Sequence, residues 1–123
     1  MEGKYWTILF KKKKKLITFF RASPSWFVGE VFTYFEHVYN NERRFLAIVN
    51  VMKEHRFGEY YIPQVVEDPS RYHFAVLNIA DIIHCVGLMQ YSDSPYKFNV
   101  VWSYMDYEDK IGNRKPGGLS ELS

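Results

Sequence analysis

The chain contains one cysteine, Cys85, among its 123 residues. A lone thiol can form no disulfide within the chain and leaves a cysteine-based zinc site without ligands, so a reducing intracellular compartment is expected. Long hydrophobic runs are missing too. Nothing approaches the roughly 18 to 20 apolar residues that span a bilayer, and Leu16-Ile17-Thr18-Phe19-Phe20 is too short for the core of a signal peptide. The expectation is a protein that is not secreted and has no membrane partner. The sequence also lacks a glycine-rich phosphate loop. Its four histidines, His37, His55, His73 and His84, stand at no recognised metal-ligand spacing to one another or to a carboxylate cluster. No catalytic residue, metal site or cofactor is expected, and no small-molecule substrate.

Charge of one sign is scarce overall. Sixteen Lys plus Arg against fourteen Asp plus Glu leave a formal charge of +2, so composition alone implies no polyanion partner. Distribution says more. Lys11, Lys12, Lys13, Lys14 and Lys15 form an unbroken basic run, with Arg21 shortly after. Five adjacent ammonium groups suit a nuclear import signal or a phosphate-contacting arm with strong salt dependence. A solvated leader without a partner explains the same run.

What the chain has in quantity is aromatic residues: ten Tyr, ten Phe and three Trp, with a hydrophobic fraction of 47%. Disordered chains have few aromatics, so the middle of this one is expected to fold. One domain is the expectation for this length. Phe27 to Lys53 reads as a long β-hairpin, two aromatic and β-branched runs joined at Asn40-Asn41-Glu42. The asparagines suit the positive φ of a tight turn. Helical spacing also fits parts of these runs, and β-branched enrichment decides for strands.

Further strands are expected at Tyr60 to Val66, where Pro63 implies an edge or bulge, at Phe74 to Leu77, across the apolar stretch Ile79 to Met89, which can open with a helical turn, and at Phe98 to Tyr104. The fold class is therefore all-β, a small barrel or sandwich of five to seven short strands. Residues 1–25 read as a basic leader, partly disordered because like charges repel. Residues 26–106 read as the barrel and residues 107–123, with Gly112, Pro116, Gly117 and Gly118, as a flexible tail.

Adjacent His84 and Cys85 would point to opposite faces of a strand and could not activate one another. Asp81 reads as a turn or cap residue before Ile82-Ile83. An enzyme would need Asp81, His84 or Cys85 to converge with His37 or His73. Tyr34, Tyr60, Tyr61, Trp102 and Tyr104 are the candidate surface aromatics, able to stack bases or cage an alkylated ammonium if a barrel face presents them. Most aromatics on strands are simply core.

The segment Trp26-Phe27-Val28-Gly29-Glu30-Val31-Phe32-Thr33-Tyr34-Phe35-Glu36-His37, followed by Arg44-Phe45-Leu46-Ala47-Ile48-Val49, resembles a stretch near the C-terminal end of transposase-like proteins abundant in fungal genomes. Asp81-Ile82-Ile83-His84-Cys85-Val86-Gly87-Leu88 and Asn113-Arg114-Lys115-Pro116-Gly117-Gly118-Leu119-Ser120 resemble the same proteins. The order of features is also similar, more weakly, to bromo-adjacent homology domains, β-barrel modules of chromatin proteins that bind histone tails or partner proteins. Those features are the Val28-Gly29-Glu30-Val31 strand, the hairpin, Tyr60-Tyr61, Ile79 through Leu88 and a last aromatic strand. These resemblances imply a detached or truncated, non-catalytic accessory domain acting in the nucleus, with nucleic acid or a chromatin protein as partner. The alternatives are a cytoplasmic location and a protein-interaction domain with no nucleic-acid role.

Overall fold

The computed structural model describes the backbone of Tyr5–Lys11 and, with side chains, residues 16–102, 112 and 114–122. The architecture is all-β, as the strand patterning predicts. Among the described residues ten strands run in the order β1 (Tyr5–Lys11), β2 (Ile17–Ala22), β3 (Ser25–Tyr39), β4 (Glu42–Val51), β5 (Glu54–Phe57), β6 (Pro63–Val66), β7 (Phe74–Asn78), β8 (Ile82–Gln90), β9 (Lys97–Val101) and β10 (Lys115–Pro116). They form one curled sheet in the order β5-β6-β9-β8-β2-β3-β4-β7, a half-barrel with β1 and β10 also paired to β3. Every pairing is antiparallel except that of β10.

The hairpin of β3 and β4 is the spine. Asn40 and Asn41 take φ of 51° and 62°, the left-handed values that a two-residue hairpin turn needs and that asparagine tolerates. The register places Tyr39 opposite Glu42 and Gly29 opposite Val51. Phe32 is the extra residue of a bulge, since Val31 pairs with Val49 and Thr33 with Ile48. A bulge bends its strand and raises the local twist; here it curls the sheet and turns Phe32 out against Tyr72 and Phe74, at ring distances of 5.4 and 5.0 Å.

The folded unit takes in residues before Trp26, which corrects the expectation of a leader up to residue 25. Strand β2 lies between β8 and β3 in mid-sheet. It is buried on both faces: Phe19 packs with Trp26, Val65, Val100 and Trp102, while Phe20 packs with Phe27, Val31, Ala47 and Val49. A continuous apolar run is what such a doubly covered strand requires. The neighbouring lysines drew the segment into a solvated reading. Of the lysine run itself, Lys11 ends β1 and Lys12 to Lys15 lie outside the described residues. The described ends on either side of it meet β3 close together, Lys11 opposite Thr33 and the Leu16 carbonyl accepting from the Val31 N–H at 2.8 Å.

The C-terminal segment is corrected as well. Lys115 and Pro116 pair in parallel with Ser25 and Trp26, and the Gly117 N–H donates to the Trp26 carbonyl at 2.9 Å. Leu119 and Leu122, in a short 3-10 turn, pack against the Phe20 cluster. Residues 114–122 are thus a strap across the start of β3. Gly117 fits because it has no side chain: a Cβ there would sit 2.2 Å from the Phe27 ring. Elsewhere Tyr60 and Tyr61 belong to a 3-10 turn that precedes the shorter strand β6, and Pro63 opens that strand next to Phe57. Among the described residues no helix is long and apolar enough to cross a membrane.

Candidate functional site

Strands β5, β6 and β9 alternate apolar and polar residues, so one face meets the core and the other is open. Phe57, Val65, Phe98 and Val100 belong to the core cluster. Arg56, Gln64 and Asn99 point the other way, and the register sets them side by side: Arg56 opposite Gln64, Gln64 opposite Asn99. Arg56 Nε donates to Gln64 Oε1 at 3.0 Å, and Gln64 Nε2 donates to Asn99 Oδ1 at 3.0 Å. A second guanidinium nitrogen, Nη2, donates to the Tyr91 hydroxyl at 2.9 Å, and the guanidinium carbon lies 5.7 Å from the Tyr91 ring centre.

This row floors an open cleft of about 600 Å³ lined also by Phe57, Gly58, Glu59, Tyr60 and Ile62. The loop on its rim is closed by two backbone bonds, Gly58 N–H to the Ile62 carbonyl at 2.8 Å and Ile62 N–H to the Glu59 carbonyl at 3.1 Å. Gly58 gives the Gln64 amide room to lie against the backbone, since a Cβ would stand 2.4 Å from its Cδ. Tyr60 and Tyr61 both take φ of 57°, a conformation costing tyrosine on the order of 1 kcal/mol. The strained loop holds both rings outward, 88% and 73% exposed, with Tyr61 edge-on to Phe57 at 5.7 Å.

The other aromatic candidates fall elsewhere. Trp102 is 3% exposed and packs on Phe19 at 4.8 Å, so it is core and not surface; the last strand's apolar face turns inward. Tyr34 is half-buried beside the Phe20 cluster, and burial, with a smaller contribution from Cys85, raises its hydroxyl pKa. Tyr104 lies outside the described residues. Arg21 is exposed and meets Asp81 at 3.6 Å. Arg43 with Glu36 at 3.3 Å and Arg44 with Glu42 at 3.4 Å pair likewise, so these three arginines contribute little unbalanced positive field.

Two groupings of titratable side chains stand out among the described residues. His84 and Cys85 are exposed on β8, opposite Phe19 and Thr18 of β2. Asp68, Ser70 and His73 come together in one loop, but through the carboxylate: Ser70 Oγ donates to Asp68 Oδ1 at 2.6 Å, and His73 Nε2 lies 2.7 Å from Asp68 Oδ2. The Ser70 hydroxyl, then His73 and the Ser70 N–H, hold the Asp68 carboxyl well below the usual range. A nucleophilic serine needs the histidine between itself and the acid; here the order is reversed and the loop is simply braced. Among the described residues no three His, Cys, Asp or Glu are grouped as metal ligands.

The cleft residues Arg56, Gln64, Asn99 and Tyr91 were not legible as a site in the sequence. Their only signal is that Gln64 and Asn99 each interrupt an apolar strand; that the four are neighbours depends on strand order. The chain matches no protein-family model, no curated protein and no solved structure.

Proposed function

We propose that the chain is a non-catalytic binding module whose partner is nucleic acid, derived from a transposase-like protein and acting in the nucleus. The observation that carries the reading is the cleft. Outward tyrosines on a strained loop stand beside a fixed row of guanidinium and amide groups, the combination of stacking and hydrogen bonding that sequence-tolerant and base-reading sites use. The lysine run supports it from the sequence side, as a source of phosphate contacts and the kind of basic segment that import receptors read. The resemblance to transposase-like proteins points the same way.

The test is binding of the full chain to DNA and RNA across a salt series. Affinity that falls steeply with salt, with a shallower slope once Lys11 to Lys15 are replaced by glutamine, is the expected result. Undetectable binding at low salt would defeat the reading.

One observation favours a second reading, a protein-interaction domain. Edge strand β7 is uncharged and proline-free, and Phe74 and Val76 are exposed along it with Tyr72 just before it, without the usual devices that protect an edge. A second copy pairing there would appear as concentration-dependent mass in light scattering; a strict monomer argues against it.

A further inference from the structure

The polar row in the cleft has a direction, and that direction selects a ligand. Arg56 carries donors only, so the oxygen of the Gln64 amide must face it. The Gln64 nitrogen then faces Asn99, which must present its oxygen. The order follows from the guanidinium at one end and not from how amide atoms are labelled. It leaves the Asn99 Nδ2 group turned away from its partners, with two N–H donors that make no bond among the described residues. Arg56 is itself held in place by Gln64 and Tyr91, so the row is set before a ligand arrives.

Resting on the nucleic-acid reading above, we infer that the cleft takes an unpaired base of a single strand. Tyr60 supplies the stacking ring and Asn99 Nδ2 donates to the oxygen at position 4 of a thymine-like base. A duplex hides base faces in its stack; a single strand offers them to an outward ring. Charge near the cleft is balanced. Arg56 and Lys97, two residues before Asn99 on the same face, oppose Glu59 on the rim and Glu54 on β5. The cleft therefore contributes stacking and hydrogen bonding, and the salt-dependent attraction arises elsewhere on the chain.

Thymine and cytosine share the O2 carbonyl and differ at position 4, which is where the idea is tested. The two rings are of one size and stack alike, but thymine presents the O4 acceptor where cytosine presents the N4 amino donor. The donor end at Asn99 favours thymine.

The experiment is anisotropy of labelled oligothymidine and oligocytidine, about ten nucleotides long, titrated with the full chain at several salt concentrations. The expected result is tighter binding of oligothymidine by about fivefold. Asn99→Ala removes that preference, and Asn99→Asp, whose carboxylate accepts from the amino group, turns it towards cytosine. Tyr60→Ala weakens both by about tenfold, and neither it nor Asn99→Ala, which change no charge, alters the salt slope. Equal affinity for the two oligonucleotides, unchanged by Asn99→Asp, would overturn the base-edge assignment while leaving nucleic-acid binding standing. Duplex bound as tightly as single strand and indifferent to Tyr60→Ala would overturn the cleft as the site. No binding of any oligonucleotide, with capture of an unmodified peptide in the cleft instead, would defeat both readings.

Discussion

The His55 ring and the Gly117 carbonyl are joined at 3.0 Å through Nδ1, and this contact fixes the C-terminal strap to strand β5. A carbonyl can only accept, so Nδ1 carries the proton. The Val28 N–H can only donate, so Nε2, 2.9 Å away, is bare. The imidazole is thus a neutral bridge between β3 and the strap. A second tie runs alongside it: Ser25 Oγ donates to Glu121 Oε2 at 2.6 Å, and the Gly118 N–H to the other carboxylate oxygen at 3.0 Å.

Acid should lower stability through His55 from about pH 6.5 downward, above the range in which ordinary carboxylates titrate. Burial lowers the His55 pKa to about 4, against the opposing pull of the Val28 carbonyl, 3.4 Å from Nε2, the Gly117 carbonyl and Glu121. Above pH 6.5 the ring is neutral folded and unfolded, and contributes no pH dependence. Between about 6.5 and 4 the unfolded chain binds a proton that the folded chain does not, so stability falls as pH falls, by about 3 kcal/mol in all. Below 4 the folded ring protonates too and the loss levels off. Urea midpoints from pH 7 to 4 measure it, and in His55→Gln the decline between about pH 6.5 and 5, above the carboxylate range, disappears.

Gly117→Ala forces a methyl group into the Phe27 ring, which is itself fully buried. We expect destabilisation of about 1–3 kcal/mol, the usual cost of overpacking, together with faster proteolysis within residues 114–122. Unchanged stability and unchanged cleavage would mean that the strap is not seated on Phe27.

A chain beginning at Trp26 should fail to fold. It loses β2, and with it Phe19 and Phe20 from both core clusters. Phe19→Ala alone should cost about 3–5 kcal/mol. Circular dichroism of the truncated chain gives the answer: a β-rich spectrum with a cooperative melt would contradict the central position of β2.

Asp81→Ala, by contrast, should move stability by less than about 0.5 kcal/mol. Its ion pair with Arg21 is half-exposed on both sides at 3.6 Å, and such pairs contribute little. A large loss would show that Asp81 braces the turn before β8, a role that the side chain of Asn78 fills by accepting from the Ala80 N–H at 2.9 Å.

The all-β class and the long hairpin were legible because Asn40-Asn41 and the β-branched runs declare them locally. The helical turn at Ile79–Asp81 was legible for the same reason. Strand β2 was not, because five lysines beside Leu16-Ile17-Thr18-Phe19-Phe20 suggest solvent, whereas tertiary packing covers the segment on both sides. The strap was missed because Pro116, Gly117 and Gly118 look like a flexible tail until Phe27 and His55 give them a surface to lie on. The cleft depends on β6 lying between β5 and β9, a long-range arrangement that no local pattern in Arg56, Gln64 or Asn99 encodes. Tyr60 and Tyr61 were found as aromatics; their presentation comes from left-handed backbone that sequence alone does not specify.

The most direct test of the central claim is a ¹⁵N–¹H spectrum of the full chain titrated with oligothymidine. The account predicts that the side-chain amide signals of Gln64 and Asn99, the Arg56 Nε–H and the backbone signals of Gly58 to Ile62 move together and saturate. Shifts confined to β7 and its flanking Tyr72, or no shifts at concentrations where anisotropy reports binding, would contradict it.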